Sequence, residues 1–111
     1  MKEQKLFLKV SKDRRGIMNL ISEKDVEYLY KSILLLDNVE ECKAYFEDVC
    51  TIKEIYAIAQ RATVAKMLKE GKTFNEIAES TGASSATISR VNRSLATGEG
   101  YKIVFERQEQ A

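Results

Sequence analysis

Between Ser84 and Arg93 the chain sets small hydroxyl side chains and two arginines at helical spacing, and no acid falls between Gly82 and Ala96. At about 100° per residue, Ala86, Ser89, Arg90 and Arg93 share one face of a helix. That set suits the major groove of double-stranded DNA. Arginine bonds the acceptor edge of guanine through two N–H groups, serine bonds a base or a phosphate, and an alanine methyl can meet the methyl of thymine. Ser85, Ala86, Ser89 and Arg90 are therefore candidates for base contacts. Lys72, Thr73, Ser84, Thr87 and Arg93 are candidates for holding phosphates, helped by the positive end of the helix dipole. Ser84 and Ser85 can also serve as caps of the helix they begin.

For these side chains to project, two helices must cross steeply around a tight turn. Ala78 gives the first helix the small residue that a close crossing needs. Gly82, four positions on, accepts the positive φ of the turn. Ile88, Val91 and Leu95 recur at i, i+3 and i+7 as inner anchors, joined by Ile77 from the first helix. A plain helical hairpin with a polar surface would use some of these features. Their coincidence with a basic outer face predicts a helix-turn-helix over residues 73–95.

The remaining elements announce themselves by their caps. Ser22-Glu23-Lys24-Asp25 opens a helix whose apolar residues, Val26, Leu29, Tyr30, Ile33 and Leu36, keep helical spacing. Asn38 and Glu41 resemble a capping pair ahead of Cys42, Tyr45, Phe46 and Val49. Thr51 followed by Glu54 is a capping box, and Gly71 ends the long helix it starts. The apolar stripe from Ile52 to Leu68 is wider than one neighbouring helix can cover, which favours sharing it with another subunit. Thr73 and Glu76 form a second capping box. Tyr101 to Arg107 reads as a last helix, although its residues would also suit a strand.

Composition narrows the classes. With 44% hydrophobic and 32% charged residues, the 111-residue chain fits a folded globular protein rather than a disordered one. Apolar runs such as Ile33 to Leu36 are too short to span a bilayer, and no secretory signal is evident, so a cytoplasmic location is expected. Cys42 and Cys50, with no histidine in the chain, match neither a redox pair nor a zinc site. No catalytic residue, metal site or cofactor is expected; both thiols lie among apolar neighbours, where they are normally inert. Gly71-Lys72-Thr73 echoes a phosphate-binding loop, but Lys66 stands where that motif requires glycine. Charge divides into +4 over residues 1–21, −5 over 22–57 and +2 over 58–111, so contact with a polyanion is expected at the ends. Residues 1–21 read as a basic, mobile or loosely docked arm, and residues 22–111 as a helical DNA-binding and dimerisation domain.

The run from Ala44 to Leu95, with AYFEDVCTIKEI, AQRATVAKML and GASSATISRVNRSL, resembles the tryptophan-repressor-like proteins, most closely their YerC/YecD branch. The resemblance covers residues from about 22 to 107. It implies an all-α, intertwined homodimer with paired recognition helices entering successive major grooves, hence a two-fold related site. It also points to a candidate effector pocket of Arg90, Ser94 and Gln60, since Arg90 and Ser94 match positions that line the repressor's amino-acid pocket. Two departures argue against tryptophan as co-repressor. Val91 stands where the repressor has a glycine that leaves room for the indole, and Gln60 falls at the place of an arginine, with Arg61 one position away. The expectation is a homodimeric, sequence-specific transcription regulator that does not respond to tryptophan. The alternative is a helical protein–protein interaction module without specific DNA binding.

Overall fold

The computed structural model describes residues 11–12 and 18–111. Most of the basic arm expected over residues 1–21 falls outside the described residues. Within that stretch, Ser11–Lys12 (β1) and Met18–Asn19 (β2) pair antiparallel, Ser11 opposite Asn19 and Lys12 opposite Met18. Six α-helices follow among the described residues: α1 (Glu23–Ile33), α2 (Val39–Val49), α3 (Ile52–Lys69), α4 (Phe74–Thr81), α5 (Ser85–Thr97) and α6 (Gly100–Gln110). The architecture is all-α apart from the two-residue ladder. The chain divides into two compact units, residues 1–46 and 47–111, with the boundary inside α2.

In the first unit, caps decide where the helices run. Ser22 and Asp25 close a reciprocal capping box at the start of α1. Apolar periodicity alone would carry α1 on to Leu36, but it stops at Ile33. There the chain tightens, with Leu35 N–H bonded to Ser32 O and Leu36 N–H to Ile33 O, both at 3.1 Å. The next two residues already belong to the entry of α2. Asn38 Oδ1 accepts the Glu41 N–H at 2.9 Å, and the Glu41 carboxylate accepts the Asp37 N–H at 2.8 Å. Neither α1 nor α2 buries a residue, and Leu34, Leu35 and Val39 are 82%, 79% and 76% exposed.

The second unit has a core. Val64 and Ala65 of α3, Ile77 of α4, Ala83 in the turn, and Ile88 and Val91 of α5 are buried together, with Ala78, Leu95, Tyr101 and Phe105 packed around them. Each isoleucine or valine removed from water there contributes about 1.5–3 kcal/mol before entropy is charged. The long helix α3 starts at the Thr51–Glu54 capping box. It ends in a Schellman motif: Gly71 takes φ +84°, Lys72 N–H reaches Met67 O at 3.1 Å, and Gly71 N–H reaches Leu68 O at 3.0 Å. Only Val64 and Ala65 of α3 are buried, and Ile52, Tyr56 and Ile58 stay exposed. The breadth of its apolar stripe thus exceeds what its own unit covers.

Helix α6 settles the ambiguity of Tyr101 to Arg107. Tyr101 and Phe105, four apart, pack on the core with stacked rings 6.3 Å apart, while Ile103 and Val104 face outward. Lys69 holds α6 to α3 twice, through an ion pair with Glu109 at 3.1 Å and by lying 4.9 Å from the centre of the Phe105 ring. No helix among the described residues is long and apolar enough to cross a membrane.

Candidate nucleic-acid interface

Helices α4 and α5 are joined at Gly82, whose φ of +72° lies in the left-handed region expected from the sequence. Its N–H bonds Ala78 O at 2.9 Å, closing α4. The turn is stitched further by Thr81, whose hydroxyl donates to Ile77 O at 2.7 Å and accepts the Ala83 N–H at 3.1 Å. Ala83 is then buried, so the chain enters α5 over a small apolar foot. The only mark Thr81 carries in the sequence is its place just before a helix-ending glycine, where a hydroxyl can bond the backbone locally.

Two short helices so joined must be anchored at both ends of the crossing. Ile77 is fully buried and Ala78 half-buried on α4. On α5, Ile88 and Val91 retain 1% and 2% of their surface, and half-buried Leu95 packs beside them. Turning these residues inward forces the opposite face out. Ser85, Ala86, Ser89, Arg90 and Arg93 are all exposed. Neither arginine is in an ion pair among the described residues, so both guanidiniums keep their donors for a ligand. Helix α5 continues two residues beyond the expected Leu95, to Thr97.

The phosphate candidates divide in two. Lys72 and Arg93 are exposed cations. Thr73 and Ser84 are already engaged as caps, and Thr87 is bonded to Ser84. Thr73 Oγ1 accepts the Glu76 N–H at 3.1 Å, while the Glu76 carboxylate accepts the Thr73 N–H at 2.8 Å. These bonds, with Lys72 nearby, hold the Glu76 carboxyl below the ordinary glutamate range. Ser84 Oγ accepts the Thr87 N–H and donates to Thr87 Oγ1, each at 3.1 Å. The Ser84 hydroxyl proton is thus used internally, whereas the proton of half-buried Thr87 remains available to an outside acceptor.

Of the candidate effector residues, Gln60 lines a recess of its own and the other two lie on α5. Half-buried Gln60 donates from Nε2 to Thr81 O at 3.0 Å. It lines a recess of about 220 Å³ with Ala59, Thr63, Ser80 and Thr81, and neither Arg90 nor Ser94 is in its wall. Arg90 and Ser94 lie exposed on α5. Val91, the residue argued to fill the space of an indole, is part of the core.

Comparison with known proteins agrees with this geometry. The sequence profile of the Trp repressor protein family matches residues 24–109. The uncharacterized protein YerC of Bacillus subtilis (strain 168) is 49% identical over 85 residues, 76% of this chain and 82% of its own length. Among solved structures, a TrpR-like protein from Eubacterium eligens ATCC 27750 superposes with a TM-score of 0.75 at 56% identity, covering 78% of this chain and 90% of that one. A candidate Trp repressor from Staphylococcus aureus gives 0.74 at 45% identity, covering 78% and 87%.

Proposed function

We propose, from the premise that this chain belongs to the Trp repressor protein family, that it is a homodimeric regulator of transcription which recognises a two-fold related DNA sequence. One observation carries the reading: α5 buries Ile88 and Val91 and thereby presents Ser85, Ala86, Ser89, Arg90 and Arg93 on the outer face of a helix that has no carboxylate of its own. In this reading Arg90, with Ser85, Ala86 and Ser89, faces base edges, because bidentate guanidinium contacts and small neighbours are what the major groove accepts. Lys72, Thr73, Thr87 and Arg93 hold the backbone on either side, and Ser84 fixes the start of the helix.

What one copy leaves uncovered supports the dimer. Leu34, Leu35, Val39, Ile52 and Tyr56 are each more than 60% exposed, an apolar load that a soluble monomer does not leave bare. A second copy is the partner the family reading supplies, and it places two α5 helices under one two-fold axis. Two modest cationic surfaces then bind as one. Tryptophan has no part in this reading, because the resemblance aligns Val91 with the repressor's glycine that leaves room for the indole. The test is selection of bound sequences from a random DNA pool by the purified protein. Enrichment of a palindrome with half-sites about one helical turn apart is expected; recovery of no common sequence would refute specific recognition. Isothermal titration with tryptophan should show no saturable heat.

A further inference from the structure

Gln60 lies one helical turn before Val64 on α3, and its side chain crosses to the backbone at the end of α4. Thr81 O, which it bonds at 3.0 Å, belongs to the last turn of a helix, where carbonyls lack an internal donor. The neighbouring turn is closed by Thr81 and Gly82 alone, so Gln60 attaches an already rigid corner to α3. Ala59, Thr63 and Ser80 beside it are small and leave the amide room to reach.

The other attachments of the α4–α5 pair to α3 are the apolar packing of Val64 and Ala65 against Ile77, Ile88 and Val91, and a weak sulfur contact in which the Ser80 hydroxyl, also bonded to Glu76 O, reaches Met67 Sδ at 3.3 Å. Apolar contact has no preferred direction and a thioether is a weak acceptor, so a hairpin gripped mainly through such contacts can turn about them. A hydrogen bond demands alignment of donor and acceptor. Placed away from the patch, it removes that turning freedom. We infer that Gln60 is a built-in strut: its bond to Thr81 presets the angle of α4 and α5 against α3, so the DNA-reading geometry is reached without a bound effector. The inference rests on the regulator reading above and adds to it that one side chain of α3 acts as a positioning residue in place of a ligand.

The test compares the full-length protein with Gln60→Leu, which keeps bulk without a donor, and Gln60→Arg, which keeps a donor. In the free protein, amide hydrogen exchange at Gly82 and Ala83 should quicken about three- to tenfold in Gln60→Leu, the worth of one net hydrogen bond. Exchange at Val64 and Ala65 should not change, and Gln60→Arg should return the turn to within about twofold of wild type. Unchanged exchange at the turn overturns the strut, whatever DNA does. On a selected DNA site with no small molecule added, wild type should bind, and Gln60→Leu should bind more weakly by a similar factor and discriminate less between half-site spacings. Faster exchange with unaltered DNA binding overturns the positioning role. Binding by wild type only after tryptophan is added overturns the preset geometry. Failure of wild type to select any DNA sinks the regulator reading instead, and the strut is then decided by exchange alone.

Discussion

Helices α1 and α2 and the four helices that follow them are similarly supplied with apolar residues, yet they use them differently. Residues 47–111 gather six side chains into a buried cluster and turn polar groups outward. Helices α1 and α2 bury none, although each has a capping residue and a regular apolar face. Local signals therefore suffice to make a helix, whereas a core requires a second apolar surface opposite the first. The end proposed to read DNA carries both surfaces in one chain. The N-terminal helices display one and wait for its complement, which is why the proposed dimer is assigned to them and to the exposed flank of α3.

The comparison breaks most sharply in the core. Ile88→Ala should destabilise residues 47–111 by about 2–5 kcal/mol, because the site is closed on all sides and a cavity remains. Denaturant melts would show it, and a loss below about 1 kcal/mol would mean that the cluster is not the anchor. Next in size is the opposite experiment. Leu34→Asp, at a position 82% exposed, should leave amide dispersion of residues 47–111 intact while weakening self-association about 10- to 100-fold. Sedimentation of an unchanged dimer would remove this face from the proposed interface.

Within the reading surface the two arginines should part company. Arg90→Ala is expected to cost about 1–3 kcal/mol on the selected site and to relax base preference. Arg93→Ala should weaken binding evenly across sequences and lower the salt slope by about one. Equal behaviour on every sequence would merge their roles. The smallest effect concerns the cap of α4. Thr73→Ala should cost about 1 kcal/mol of stability by removing a helix cap. The Glu76 carboxyl, favoured as an anion by the same cap, should titrate by NMR below a free glutamate. Its folded value is lower than its unfolded one, so its contribution is full above the unfolded value and fades as pH falls through the folded one. A normal titration would mean that the capping box is open in solution.

Much of this molecule could be read from its residues. Ser22, Thr51 and Thr73 begin helices because their side-chain oxygens accept backbone N–H groups left free at a helix start, a local interaction that needs no partner. Gly71 and Gly82 end helices because only glycine takes positive φ without strain. Ile88 and Val91 fix by spacing alone which side of α5 is outer. Periodicity places Leu36 on α1, whereas the tightening that precedes the Asn38 cap ends the helix at Ile33, a competition between two local signals that spacing cannot rank.

Tertiary structure decided the rest. Gln60 meets Thr81 across 21 positions of chain, and no local rule pairs an amide with a carbonyl so distant. The division of the apolar residues into a buried set and a bare set is likewise a property of the assembled helices. Sequence fixes which faces are apolar, because side-chain chemistry and helical period are local. Whether such a face is covered depends on what packs against it in three dimensions.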